Sequence, residues 1–108
     1  MYYVYMLRCR DGSLYTGMAT DLRRRMRAHT EKTAACARYT RSHPPMALEA
    51  AWQTQTRSDA LRLEALIKRL DRARKLALIA APECVDAVFG EKLRGAAFVP
   101  LPPEELHL

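Results

Sequence analysis

Residues 1–20, MYYVYMLRCRDGSLYTGMAT, decide the fold. Residues 2–7, YYVYML, are aromatic and apolar, the composition of a buried strand. Asp11-Gly12 follows and signals a hairpin turn, because glycine accepts the positive φ that a tight turn needs. Residues 14–17, LYTG, form the returning strand. The chain therefore opens with a β-hairpin that carries tyrosines on both arms.

Downstream of the hairpin, Thr20 or Asp21 caps a helix that runs to about His29. Leu22, Met26 and His29 fall at i, i+4 and i+7, on one face. Arg25 shares that face, while Arg23, Arg24 and Arg27 point elsewhere. Residues 30–45 read as a Thr- and Arg-rich loop closed by Pro44-Pro45. Residues 46–54, MALEAAWQT, have apolar side chains at 46, 48, 50 and 52, a period of two that predicts a third strand. Ser58 opens a second helix with an apolar stripe of Leu63, Leu66, Ile67 and Leu70. A third helix follows Asp71 and ends before Pro82. Residues 84–89, CVDAVF, fit a short helix or a strand. The end, VPLPPEELHL, reads as an extended tail. Residues 1–81 are expected to form one domain, with 82–108 as a C-terminal extension.

The 108 residues suit a single domain. Three cysteines without a C-x-x-C pair argue against a disulfide scaffold or a structural zinc site, and fit the reducing cytoplasm. No apolar run is long enough to span a membrane, and the start lacks the charge pattern of a signal peptide. Four glycines and this length exclude a Rossmann or TIM-barrel enzyme. Residues 1–80 hold 16 Lys and Arg against 7 Asp and Glu, whereas 81–108 hold 2 against 5. Fourteen of the 18 cations are arginines, whose planar forks suit phosphate oxygens. A basic body of this size points to nucleic acid, although an Arg-rich soluble protein has the same composition.

Five residues carry chemistry. The hairpin makes Tyr5 and Tyr15 neighbours across the sheet, either as core aromatics or as working hydroxyls. Arg25, turned towards a sheet, needs a phosphate or an acidic partner such as Glu64. His29, one turn on, can contact phosphate, move a proton or simply pack. Glu64 lies at the edge of a core stripe. It suits one hard cation such as Mg²⁺, or it pairs with Lys68 at i+4.

In this order and spacing the chain resembles the GIY-YIG nuclease domain, in particular its small stand-alone bacterial members. Tyr3-Val4-Tyr5 stands where the GIY triplet belongs, and Tyr15-Thr16-Gly17 where YIG belongs. The run from Ala19 to His29 looks like the family's first helix, with its Arg and its His four residues later. Glu64 stands in the second helix, where the family carries its metal-binding Glu. Residues 37–41, ARYTR, also look like the stand-alone subgroup. The resemblance covers residues 1–79 or so. It implies a three-stranded antiparallel sheet flanked by helices, an α+β fold, and phosphodiester cleavage with one divalent ion, Mg²⁺ or Mn²⁺.

Carried over, Tyr5 or Tyr15 would act as general base or position the attacking water. A tyrosine pKa near 10 would then need a nearby cation to favour the phenolate. Arg25 would bind the scissile phosphate, Glu64 the metal, and His29 would support the phosphate or relay a proton. Three positions depart from the pattern. Tyr3 replaces the first Gly of GIY. Met18 stands where a Lys often follows YIG. No Asn follows Glu64; Leu76 and Lys75 occupy that stretch, and Lys75 is the candidate substitute cation. Arg27, Lys32, Arg38, Tyr39, Arg41 and His43 form the candidate nucleic-acid surface, with arginines on phosphates and Tyr39 stacked on a base.

The expected function is a metal-dependent DNA endonuclease, selective for branched, flapped or single-stranded shapes and linked to repair or recombination. The alternative is a nuclease fold that grips DNA or RNA without cutting. The expected partner is nucleic acid, most of all DNA, with no membrane and no partner protein; a monomer is expected. The acidic, proline-bearing tail is a weaker candidate for docking a partner.

Overall fold

The computed structural model describes residues 1–31 and 42–106, with the side chains of residues 30 and 31 left aside. Lys32, Arg38, Tyr39 and Arg41, four of the expected nucleic-acid contacts, lie outside the described residues. The first strand, β1, is Tyr2–Cys9, and β2 is Leu14–Ala19. They pair antiparallel across the Asp11-Gly12 turn. Gly12 takes φ +85°, and the Asp11 carboxylate accepts hydrogen bonds from the Ser13 amide and hydroxyl at 3.0 and 2.6 Å. This Asx-type bonding is what favours Asp before Gly in such turns.

The third strand, β3, is Pro45–Thr54 and pairs antiparallel with the other edge of β1. A fourth strand, β4, Val99–Pro100, pairs with β3, so the sheet order is β2-β1-β3-β4. The sheet thus has four strands, one more than the three expected. The added strand comes from the stretch read as an extended tail. It is held by Phe98, which is buried, by the Thr54 hydroxyl donating to the Ala97 carbonyl at 3.0 Å, and by the Leu101 amide donating to Ala51 at 2.9 Å. Two residues are too short for a sequence period, and the prolines pointed away from a strand; at a sheet edge, proline costs no ladder bond.

Alternation in β3 breaks at two places, between the partners of Met6 and Leu7 and between those of Arg8 and Cys9. Met6 pairs with Ala50 but Leu7 pairs with Leu48, so Glu49 is an extra, bulged residue. Ala50 and Trp52 therefore face one side of the sheet, Leu48 and Ala51 the other, and Met46 is exposed. The expected single face at 46, 48, 50 and 52 is split by this bulge. Glu49 in turn meets Arg8 Nε at 3.4 Å.

Both faces of the sheet are covered. On one, Val4, Met6, Ala50 and Trp52 pack against α2 (Arg57–Lys68), α3 (Arg72–Ala80) and α4 (Val85–Phe89). The buried Trp52 indole N–H donates to the Pro82 carbonyl at 2.9 Å, tying this face to the segment after α3. On the other face, Tyr5, Leu7 and Ala51 pack against Leu22 and Met26 of α1 (Leu22–Glu31). A strand buried on both sides has no polar alternation, which is why YYVYML is continuously apolar.

Asp21 caps α1 by accepting from the Arg24 amide at 3.1 Å. Thr56, not Ser58, caps α2, and its hydroxyl accepts from the Asp59 amide at 3.1 Å. The helix starts two residues earlier than expected because Arg57 and Ser58 fit its first turn, where Asp59 also meets the positive end of the helix dipole. Thr56→Ala is expected to cost about 1 kcal/mol and Ser58→Ala a few tenths. Urea unfolding of both variants checks the order.

Candidate active site

The site is built on the α1 face of β1. Tyr5 is fully buried there, and the residues opposite it on the neighbouring strands are Gly17 and Ala51, both small. Its ring lies over Gly17. A Cβ added at Gly17 would stand 2.5 Å from Tyr5 Oη, 2.7 Å from Cζ and 3.0 Å from Tyr15 Cε2. Gly17 is therefore the space that the tyrosine hydroxyl occupies. Tyr15, on the same face and half-buried, has its ring centroid 6.2 Å from that of Tyr5.

Helix α1 completes the group because of its spacing. Leu22 and Met26 anchor its apolar face, and His29, three residues after Met26, reaches the tyrosines. Tyr5 Oη and His29 Nε2 are 2.7 Å apart. The His29 ring stands edge-on to both tyrosines, at 5.8 Å from Tyr5 and 5.6 Å from Tyr15. The two hydroxyls also interact, and the three ring centroids form a near-equilateral triangle, with sides of 5.6, 5.8 and 6.2 Å. Arg25 is half-buried on the same helix. Its charge acts on Tyr5, Tyr15 and His29, and the charge of Glu64 acts on both tyrosines. The structure thus brings the five expected residues into one neighbourhood.

Burial pushes the Tyr5 phenol well above its ordinary value; the neighbouring Tyr15 and Glu64 add to this and Arg25 only partly offsets it. The Tyr15 phenol also moves up, from burial and then Glu64, again opposed by Arg25. His29 is lowered to about 4, first by burial and then by Arg25. Burial outweighs the cation, so at neutral pH both phenols keep their protons and His29 is an uncharged acceptor. Arg25 is the cation that opposes the upward shift at both phenols, and burial is the larger effect. With its proton on Nδ1, the imidazole accepts from Tyr5 through Nε2, and Tyr5 can accept from Tyr15.

His29 makes stability depend on pH. Its folded pKa of about 4 lies below its unfolded value, about 6.5. Between these values the unfolded chain binds more protons, so stability falls as pH drops from about 6.5 to 4. A thermal-melt series in this window is expected to show a declining Tm, and His29→Gln is expected to flatten that slope.

Glu64 stands at the edge of the core row Ala60, Leu63 and Ile67, with its side chain 18% exposed, and it pairs with Lys68 Nζ at 3.4 Å. The i+4 pair is therefore present. Among the described residues, no three His, Cys, Asp or Glu side chains gather to hold a metal. A single carboxylate near an arginine is a donor set that Mg²⁺ accepts, because it takes one or two carboxylates and fills its remaining positions with substrate oxygens and water. These residues fit such an ion.

The other candidates among the described residues lie apart from this group. Arg27 is exposed on the outer side of α1. Lys75 is half-buried in α3, and no charge effect of it on the tyrosines or His29 is found. Met18 packs with the core on the opposite sheet face from Tyr5. His43 sits beside the hairpin turn, 3.7 Å from the Asp11 carboxylate. Gly17, which makes room for the Tyr5 hydroxyl, was not among the expected site residues. A glycine inside a strand, facing a tyrosine, was the available signal of close approach.

The GIY-YIG catalytic domain profile matches residues 1–77. The chain belongs to the GIY-YIG family. A UPF0213 protein of Xanthomonas axonopodis pv. citri is 46% identical over 80 residues, 74% of this chain and 76% of its own. One from Halalkalibacterium halodurans is 41% identical over 78 residues, 72% and 81% of the two chains. The solution NMR structure of a UPF0213 protein from Bacillus halodurans has a TM-score of 0.49 and 36% identity, covering 83% of this chain and 98% of that one. The GIY-YIG match takes in β1 to β3, α1, α2 and most of α3. Tyr5, Tyr15, Gly17, Arg25, His29 and Glu64 all lie inside it. The fold is of the nuclease type, an antiparallel sheet flanked by helices. No helix among the described residues is long and apolar enough to cross a membrane.

Proposed function

We propose that this GIY-YIG chain is an endonuclease that hydrolyses phosphodiester bonds in DNA with the help of one divalent cation, Mg²⁺ or Mn²⁺. The observation that carries the reading is the 2.7 Å contact between Tyr5 Oη and a neutral His29, with the Tyr15 ring against both and Arg25 and Glu64 near by. A water attacking phosphorus must lose a proton as the P–O bond forms. Tyr15, the more open of the two phenols, takes that proton while passing its own to Tyr5. Tyr5 passes its proton to His29 Nε2, so neither phenol has to exist as a phenolate. Buried His29 holds the proton until cleavage is complete; the transfers then reverse and Tyr15, the more open phenol, returns it to solvent, while solvent protonates the leaving oxygen. Arg25 holds the phosphate and stabilises the charge that builds on it. Glu64 would hold the cation, whose chemistry is to neutralise charge on the phosphate and leaving oxygens.

The basic surface favours DNA selected by shape, such as a flap, branch or single strand, in a repair or recombination setting. None of the described elements offers a row of side chains suited to reading base edges in a major groove. A second reading is a binding module that does not cut. It is favoured by the engagement of Glu64 with Lys68 and by the protonated tyrosines. Glu64→Ala discriminates between the two. The nuclease reading predicts that this variant binds a four-way junction but fails to cut it, as the wild type fails in EDTA. Equal binding by both proteins, with cleavage by neither at any metal concentration, supports the module.

A further inference from the structure

On the side of α2 away from the tyrosines runs a groove of about 960 Å³ between α2, α3, α4 and the turn after it. Its floor is apolar: Leu66, Leu70, Leu78, Val88 and Phe89. Its rim is cationic: Arg62, Arg69, Arg74, Lys92 and Arg94, and no carboxylate lines it. Arg62 is engaged by Asp59 at 3.1 Å, and the other four rim cations have no ion pair among the described residues. Arg94 is the one non-glycine among the described residues with a positive φ, +52°. That conformation disfavours an L side chain. Val88 on the floor is 48% exposed. The α4 and Arg94 side of the groove lies beyond the GIY-YIG match.

An occupant must satisfy both floor and rim. A nucleic-acid backbone meets the cations but leaves the leucines and Val88 in water. It also finds no open aromatic face to stack on, since Phe89 is buried. An apolar surface with no charge leaves the cations unmatched. We infer that the groove docks an acidic amphipathic segment of a partner protein, with an apolar row on the floor and flanking Asp or Glu against the arginines. At about 100° per residue, Leu66 lies roughly 160° around α2 from Glu64, so a seated segment leaves the tyrosine face open. The inference is independent of whether that face cuts DNA.

The test uses the full chain and a labelled, end-blocked peptide of about 14 residues, with Leu at i, i+3, i+4 and i+7 and Glu elsewhere. Fluorescence anisotropy is expected to show saturable binding that weakens with salt. Two variants are expected to bind at least about tenfold more weakly, a loss of about 1.4 kcal/mol, with unchanged circular dichroism and Tm. They are Arg69→Glu with Arg74→Glu, and the independent Val88→Asp, all at exposed positions. A control peptide with Ser in place of Leu is expected to lose affinity by a similar factor. The inference is overturned by absence of binding, by equal binding of the Ser peptide, or by equal binding to the variants. It is also overturned if duplex DNA displaces the peptide and itself loses affinity for the Arg69→Glu, Arg74→Glu protein, which would make the groove a nucleic-acid surface.

Discussion

Tyr5→Phe is expected to lower cleavage by about 10² to 10⁴-fold while leaving the sheet intact. In the proposed path the hydroxyl hands the proton to His29, and its removal breaks that step. The ring stays, so the packing of Tyr5 between Gly17 and Ala51 is kept. The lost hydrogen bond leaves buried His29 without its 2.7 Å partner, at a cost of about 1–3 kcal/mol. Single-turnover cleavage and urea unfolding separate the two effects. A rate within a few-fold of wild type would remove Tyr5 from the path. In that case Tyr15 alone would have to meet both water and acceptor, and Tyr15→Phe would become the severe variant.

Gly17→Ala is expected to damage stability and chemistry together. The new methyl would sit 2.5 Å from Tyr5 Oη and 2.7 Å from Cζ, distances at which something must shift. The tyrosine cannot swing away freely, because it is fully buried under α1 and bonded to His29. Overpacking of this kind costs about 1–3 kcal/mol. A displacement near 1 Å at a catalytic hydroxyl is worth about 10²-fold in rate. Denaturant midpoints and cleavage rates of Gly17→Ala, Tyr5→Leu and the double variant give the coupling. The double variant is expected to be less destabilised than the sum of the singles by about 0.5–3 kcal/mol, since Leu at 5 frees the space beside position 17. Additive effects would mean that the two residues do not share that space.

The hairpin, the three helices of the basic body and the α1 face of Leu22, Met26 and His29 could be read in the sequence because each rests on a local period or turn signal. The β3 bulge could not. Its extra residue, Glu49, is defined by pairing with β1, and no run of side chains announces it. The Thr56 cap was missed because Thr56 and Ser58 are both good caps two residues apart. Strand β4 was missed because its two residues are held by Thr54, Ala51 and Phe98 rather than by a period of their own.

At the site, the spacing of α1 put Arg25 and His29 on the helix face that meets the sheet, but it did not tell which tyrosine His29 bonds. That His29 is bonded to Tyr5 while its ring touches both tyrosines depends on tertiary packing. The protonation states also depend on it, because burial outweighs Arg25 at both phenols. Lys75 illustrates the converse. Its position in the chain suggested a substitute for a missing site residue, yet it lies on α3, and no effect of its charge on Tyr5, Tyr15 or His29 is found.

Whether this GIY-YIG chain cuts DNA through Arg25 and Glu64, as proposed, is decided by one panel. Labelled single-stranded, duplex, flapped and four-way-junction DNA, and an RNA strand, are incubated with Mg²⁺, Mn²⁺ or EDTA and either the wild type or the Arg25→Ala, Glu64→Ala protein, both shown to be folded. Metal-dependent cutting by the wild type alone is expected, strongest on branched or flapped DNA. Retained binding by both proteins with cutting by neither would contradict the proposal.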